Sequence, residues 1–198
     1  MTARSARVLL ALGAFVAGLV LFSAVIFLVT GRTPSTVAMP SAVGGPFKLV
    51  DQNAKPITDV DMKGKPFLVF FGFTHCPDVC PTTLFEVSEI FRALGPEAKD
   101  LRALFVTVDP ERDTPEVLKN YLSSFDPRII GVTGDEAAVG AAEKAYRVYA
   151  KKVPTDGGGY TMDHTAIVYL MNKDGRFVTP FNMKRTPQDA AADLKRYL

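Results

Sequence analysis

The stretch Phe67–Pro81, FLVFFGFTHCPDVCP, limits what this chain can become more than any other. From Phe67 to Phe73 it is almost wholly aromatic and β-branched, without the alternation of a half-exposed strand. It therefore predicts a strand buried on both faces of a parallel or mixed sheet. The second half holds both cysteines of the protein, Cys76 and Cys80. Proline is tolerated at the first helical position and costs a hydrogen bond deeper in. Pro81 thus predicts a helix starting at about Cys80, with Cys76 in the preceding loop. Two sulfurs so spaced, with Pro77 stiffening the path, suit a disulfide or one shared metal ion. The positive end of a helix favours thiolate by about 0.3–1 kcal/mol, less than one pKa unit. That makes the pair reactive without making it a strong oxidant, and a soft metal ion would complete the deprotonation.

The amino end imposes a second constraint. Arg4 and Arg7 precede a run from Val8 to Val29 that carries no charge. At 1.5 Å per residue this is about 33 Å of helix, enough for a hydrocarbon core of roughly 30 Å. Thr36-Val37-Ala38 resembles a weak cleavage site, but a cleavable secretory signal has an apolar region of only about 7–15 residues. The length favours an uncleaved anchor. No cysteine stands close behind the run, which argues against lipoprotein attachment. Arg32 is the single nearby charge on the far side. Residues 1–7 are therefore expected in the cytoplasm, 8–29 as a single transmembrane helix, and the rest exported. That means an inner-membrane protein facing the periplasm, or, in a eukaryote, the mitochondrial inner membrane facing the intermembrane space.

Residues 30–46, with their Gly, Pro, Ser and Thr, read as a linker. Residues 47–198 are one domain of ordinary size with room for a core. Apart from Arg4, Arg7 and Arg32, the chain's 23 basic residues all fall in this domain with its 21 acidic ones, so it is nearly neutral. Nucleic-acid binding, which calls for a basic face, is not expected. A monomer is expected, because the sequence has no evident apolar patch beyond its core pattern.

Further along, Phe47–Val50 and Pro56-Ile57 flank a turn at Asp51-Gln52-Asn53 and predict a small hairpin. Leu84, Val87, Phe91 and Leu94 recur at helical spacing, with Gly95-Pro96 as a stop. Leu101–Val108 is a second buried strand. Thr114 is the expected N-cap of a helix with Pro115 at its first position. Ile129–Val132 predicts a short strand and Asp135–Ala150 a helix with Val139, Tyr146 and Tyr149 inward. The glycine run 157–159 reads as a flexible loop leading through Tyr160 to His164. Thr165–Met171 and Arg176–Phe181 then pair about the turn 172–175, and Pro187–Leu198 closes as an amphipathic helix. This order implies an α/β, thioredoxin-like fold, a mixed central sheet flanked by helices, plus the amino-terminal membrane helix. In such a sheet the working site lies beyond the carboxyl ends of the parallel strands, where Cys76 and Cys80 stand.

GKPFLVFFGFTHCPDVCPTTL, VDPERDTPEVLKNYL and YTMDHTAIVYLMNKDGRF, in that order behind an amino-terminal anchor, resemble the Sco/SenC family of copper proteins that assist cytochrome c oxidase assembly. The resemblance implies that Cys76, Cys80 and His164 bind one copper ion, as Cu(I), Cu(II) or both. It also implies a copper-receiving subunit of a terminal cytochrome oxidase, an upstream copper donor and a thioredoxin-type thiol reductant as partners. Soft thiolates suit Cu(I) and imidazole suits either copper state. Zinc competes poorly, since a closed structural zinc site wants four ligands. His75 is the alternative nitrogen, although a third ligand directly beside Cys76 is geometrically awkward.

Other residues admit two roles. Asp109, Arg112 and Asp113 form a charged loop suited to capping and ion pairing or to docking a partner. Asp78 could steer a basic partner or merely solvate its loop, and Asp163 could orient His164. Met162 and Met183 are better read as packing residues than as further sulfur ligands, and Tyr160 either lines the site or covers the loop. Two functions follow. One is a membrane-anchored copper metallochaperone. The other is a thiol-disulfide oxidoreductase, with Cys76 and Cys80 as its redox-active pair, that keeps the cysteines of an oxidase copper site reduced. Thioredoxin-like oxidoreductases usually set a proline opposite their cysteines, where this chain has Asp163-His164-Thr165. An imidazole there serves metal better than disulfide exchange.

Overall fold

Strand β3 (Phe67–Gly72) is buried at every residue, and the sheet is built outward from it. It pairs in parallel with β4 (Arg102–Thr107), which pairs in parallel with β5 (Ile129–Thr133). On its other side β3 pairs antiparallel with β8 (Val168–Met171), which turns back into β9 (Phe177–Pro180). The predicted amino-terminal hairpin, β1 (Lys48–Asp51) and β2 (Pro56–Thr58), extends the β5 edge. The order is β2-β1-β5-β4-β3-β8-β9, a mixed seven-stranded sheet. The expected α/β, thioredoxin-like architecture is what the domain shows.

The structure is a computed structural model that describes residues 3–30 and 43–197 and falls into two units, an amino-terminal helix and the domain. The helix, α1 (Ala3–Thr30), is unbroken. Its described side chains, 12–28, are exposed and cover less than the charge-free run from Val8 to Val29. Among the described residues no helix is long and apolar enough to cross a membrane. Residues 31–42, which include most of the expected linker and Thr36-Val37-Ala38, lie outside the described residues.

Side-chain rows running across the strands explain the layers. Phe70, Phe105 and Gly131 are in register on one face. There Phe105 packs on Tyr121 of α3 (Pro115–Leu122), with ring centroids 5.9 Å apart. A Cβ on Gly131 would stand 2.6 Å from the Leu122 side chain, so the absent side chain is what lets α3 approach. On the opposite face Phe71 meets Tyr146 of α4 (Glu136–Tyr146) at 5.4 Å. Burying each such ring is worth about 1.5–3 kcal/mol. Helix α2 (Val79–Leu94) follows the cysteine loop and packs against α5 (Pro187–Lys195). Thr114 caps α3 as expected, its hydroxyl accepting from the Val117 N–H at 3.3 Å.

Two predicted boundaries are corrected. Helix α2 starts one residue early, so Pro81 occupies its third position rather than its first. The first intrahelical bond runs from the Thr82 N–H to the Asp78 carbonyl at 3.2 Å, so a missing N–H at Pro81 still costs nothing. Helix α4 ends at Tyr146, not Ala150. Arg147 takes a left-handed cap conformation, φ 58°, and Tyr149, expected inward, is exposed. Residues Ala150–Pro154 instead form β6, paired antiparallel with β7 (Tyr160–His164) in a separate two-stranded sheet. The glycine run is the turn of this hairpin. Gly158 and Gly159 have φ of 76° and 96°, values that glycine alone adopts without strain.

Two predictions arise from this packing. A Cβ at Gly72 would lie 2.8 Å from the Cys80 sulfur and 2.6 Å from the Phe105 ring. Gly72→Ala should therefore cost about 1–3 kcal/mol in denaturant unfolding, an overpacking effect; wild-type stability would contradict the fit described. Glu143 of α4 lines a cleft of about 600 Å³ beside Met162 and Lys152, and burial raises its pKa from 4.5 to about 7. A carboxyl raised on folding contributes stability that is fully present below about 4.5 and lost as pH rises through about 7. Glu143→Gln should therefore gain on the parent protein across that interval, and parallel stability profiles would count against the assignment.

Candidate metal centre

The sulfur pair forms because β3 ends at Gly72 directly beneath the first turn of α2. Cys76 lies in the loop between them, its N–H donating to the Phe73 carbonyl at 3.3 Å. Cys80 is the second residue of α2 and is fully buried, while Cys76 is 9% exposed. Both are free thiols. Asp78, at the N-cap position, makes no side-chain cap. The Cys76 sulfur accepts from the Cys80 N–H instead, at 3.4 Å, so a partly negative sulfur meets the positive helix end. Burial pushes the Cys80 thiol well up. A backbone hydrogen bond from Phe73 opposes this, and the neighbouring Cys76 and Asp113 reinforce it. Cys80 is thus protonated at neutral pH until a cation stands beside it.

His164 reaches the pair from the far end of the chain. It ends β7, and its Nε2 is 3.6 Å from the Cys80 Sγ. Nδ1 lies 3.2 Å from the Thr165 carbonyl oxygen. A proton on Nδ1 satisfies that oxygen and leaves the Nε2 lone pair facing the sulfurs, the arrangement that a metal-binding imidazole requires. The ring is held edge-on by Phe73, centroids 5.6 Å apart at 89°, and by Phe70 at 6.5 Å. One ligand atom each from Cys76, Cys80 and His164 lies within 4.8 Å of the others. Two soft sulfurs and one borderline nitrogen around a common point suit copper better than a hard cation.

The remaining candidates fall outside this group. His75 is exposed, and its Nδ1 lies 3.1 Å from the Thr74 hydroxyl. Asp78 is exposed on its loop. Asp163 also is exposed and points to the opposite side of β7 from His164. The Thr165 carbonyl therefore meets Nδ1 where the sequence suggested a carboxylate. Met162 lines the cleft and Met183 packs against the core.

The charged loop after β4 turns inward. Asp113, fully buried, accepts from the Thr74 N–H at 3.0 Å, the Thr74 hydroxyl at 2.6 Å and the Thr107 hydroxyl at 2.7 Å. It thereby holds the residue two before Cys76. Asp109, also fully buried, pairs with Arg112 and accepts from the Tyr160 hydroxyl at 2.8 Å. Arg112 donates to the Tyr160 carbonyl at 3.0 Å and lies over that ring at 3.9 Å. Lys152, paired with Glu111, is 4.8 Å from the same ring. Sequence reasoning missed the partner strand 150–154 and this network. The available signal was the two-residue alternation of Tyr160, Met162 and His164 beside a glycine turn.

Comparison with known proteins gives a consistent answer. The SCO1/SenC family model matches residues 35–198. An SCO2-like protein of Rickettsia felis is 37% identical over 155 residues, covering 77% of this chain and 76% of that protein. The structure of Bradyrhizobium japonicum ScoI with copper bound shares 65% identity at a TM-score of 0.77, covering 79% of this chain and 99% of that one. BsSco, described with a disulfide switch and as a member of the Sco family of cytochrome c oxidase assembly proteins, shares 27% identity at a TM-score of 0.62, covering 79% and 94%. With its sulfur pair, its facing imidazole and a match across most of its length, the chain belongs to the SCO1/SenC family.

Proposed function

We propose that this protein is a membrane-anchored copper metallochaperone that holds one copper ion at Cys76, Cys80 and His164 and passes it to a copper site during cytochrome c oxidase assembly. The convergence of the three ligand atoms within 4.8 Å carries this reading. The copper-bound relative from Bradyrhizobium japonicum supports it. Bound copper supplies the charge that draws off both thiol protons, chiefly that of buried Cys80, and two thiolates with one imidazole accommodate both Cu(I) and Cu(II).

The protein's own residues divide the work. Cys80, fully buried, is the fixed ligand, while Cys76 at the lip is the sulfur that an incoming thiol can meet first. Transfer by ligand exchange would begin there, with each new bond formed as an old one breaks. The charge-free run from Val8 to Val29 is long enough to anchor the protein. Arg4 and Arg7 before it favour export of the domain toward an oxidase subunit, an upstream copper donor and a thioredoxin-type reductant.

A second reading, the thiol-disulfide oxidoreductase, is favoured by the two free thiols and their unequal burial. Cys76 would attack a partner's disulfide and Cys80 would resolve it, leaving the partner with two thiols and this pair oxidised. An external reductant is then needed to restore it, and metal binding needs the same reduced pair. His164 separates the two functions.

In the reduced full chain purified in detergent, one copper should bind per chain, with a sulfur-to-copper charge-transfer band for Cu(II). His164→Ala should weaken Cu(II) binding by more than the roughly 10- to 100-fold typical of losing an outer partner, while disulfide formation persists. Unchanged Cu(II) affinity in that variant would remove the third ligand. Cys76→Ser with Cys80→Ser should abolish exchange with a partner's disulfide; activity retained in the double variant would end the oxidoreductase case.

A further inference from the structure

The His164 strand is not part of the seven-stranded sheet. Among the described residues strands β6 and β7 pair only with each other, most of β6 is exposed, and Lys152 and Met162 border the open cleft beside α4. The hairpin is thus exposed along β6 and half-buried along the inner face of β7, where Met162 packs against the core. At its root the Thr165 N–H donates to the Tyr149 carbonyl at 2.9 Å and the Tyr149 N–H to the Thr165 hydroxyl at 3.1 Å. These two bonds fix the end of the ribbon next to His164. The opposite end of β7 is Tyr160, on the same face as Met162 and His164.

We infer that Asp109, Arg112 and Tyr160 form a clamp that fixes the tilt of this hairpin and with it the direction of the His164 Nε2, making all three positioning residues for the metal centre. Asp109 is fully buried and anchors both the Arg112 guanidinium and the Tyr160 hydroxyl. Arg112 adds a bond to the Tyr160 carbonyl and a cation–π contact to its ring. A second route is direct. Arg112 lies 6.0 Å from the Phe73 ring, and Phe73 holds the imidazole edge-on at 5.6 Å. The same short loop, through Asp113 and Thr74, braces the cysteine side. One segment, 109–113, thus registers the two halves of the site.

This inference rests on His164 being a ligand, and its test is arranged to separate the two claims. Arg112→Ala, Tyr160→Phe and His164→Ala are compared in the reduced full chain in detergent, with Cu(II) affinity, the charge-transfer band and Cu(I) affinity measured for each. A positioning role predicts that Arg112→Ala loses about tenfold or more in Cu(II) affinity, in the range of lost outer partners. Its band should move toward that of His164→Ala, and Tyr160→Phe should show the same change to a smaller extent. Cu(I), held chiefly by the thiolates, should stay within about threefold. In the His164→Ala background Arg112→Ala should cost no further Cu(II) affinity, because the two act through one group. In the metal-free protein, amides of 160–164 should exchange faster in Arg112→Ala.

Wild-type Cu(II) affinity and band in both clamp variants would overturn the clamp while leaving the ligand assignment intact. An equal loss with and without His164 would also overturn it, since that marks a general structural effect. No effect of His164→Ala itself overturns the ligand assignment and this inference together. If Arg112→Ala fails to fold, Tyr160→Phe, which keeps the ring beneath the guanidinium, decides the matter.

Discussion

Everything in the domain hangs on β3 being buried on both faces between a parallel and an antiparallel neighbour. Only a strand so enclosed tolerates Phe67, Phe70, Phe71 and Phe73 in one short stretch. Its parallel pairing with β4, and that of β4 with β5, brings three loops to one edge. The cysteine loop, the 109–113 loop and the start of α4 therefore meet, and the metal centre occupies the place where an α/β sheet offers exposed loops on a rigid base.

Joining Cys80 to His164 closes a loop of 84 residues, at an entropic cost of about 4 kcal/mol by the logarithmic rule. The fold meets that cost before any metal arrives, because β8, which follows His164, is the antiparallel neighbour of β3, which precedes Cys76. The imidazole is consequently delivered by the same strand pairing that organises the core. Buried carboxylates then refine the position. Asp109 and Asp113 are fully enclosed, and each is satisfied by several donors, the condition under which buried charge is tolerated.

Close approach is the recurring means by which the site is assembled. Gly72 leaves room for the Cys80 sulfur as Gly131 leaves room for α3. Neither glycine has a positive φ, so their role is space rather than backbone freedom. Sequence alone does not separate these uses of glycine, because a missing side chain carries no mark of what fills its place.

By itself the sequence determined the elements whose residues repeat or punctuate: β3 and β4 from unbroken apolar runs, α2 and α3 from helical spacing and prolines, and the cysteine pair at a helix mouth. It also carried the charge-free run at the amino end and the family resemblance that singled out His164. Tertiary structure decided the rest. The helix expected to run to Ala150 stops at Tyr146, since Arg147 turns left-handed and the following residues find a partner strand across a glycine turn. Likewise Asp109, Arg112 and Asp113 are indistinguishable from solvated surface charge until Tyr160 and Thr74 are brought against them. Periodicity reports what a residue does for its own element, whereas a contact between segments about fifty residues apart depends on how the whole sheet is stacked.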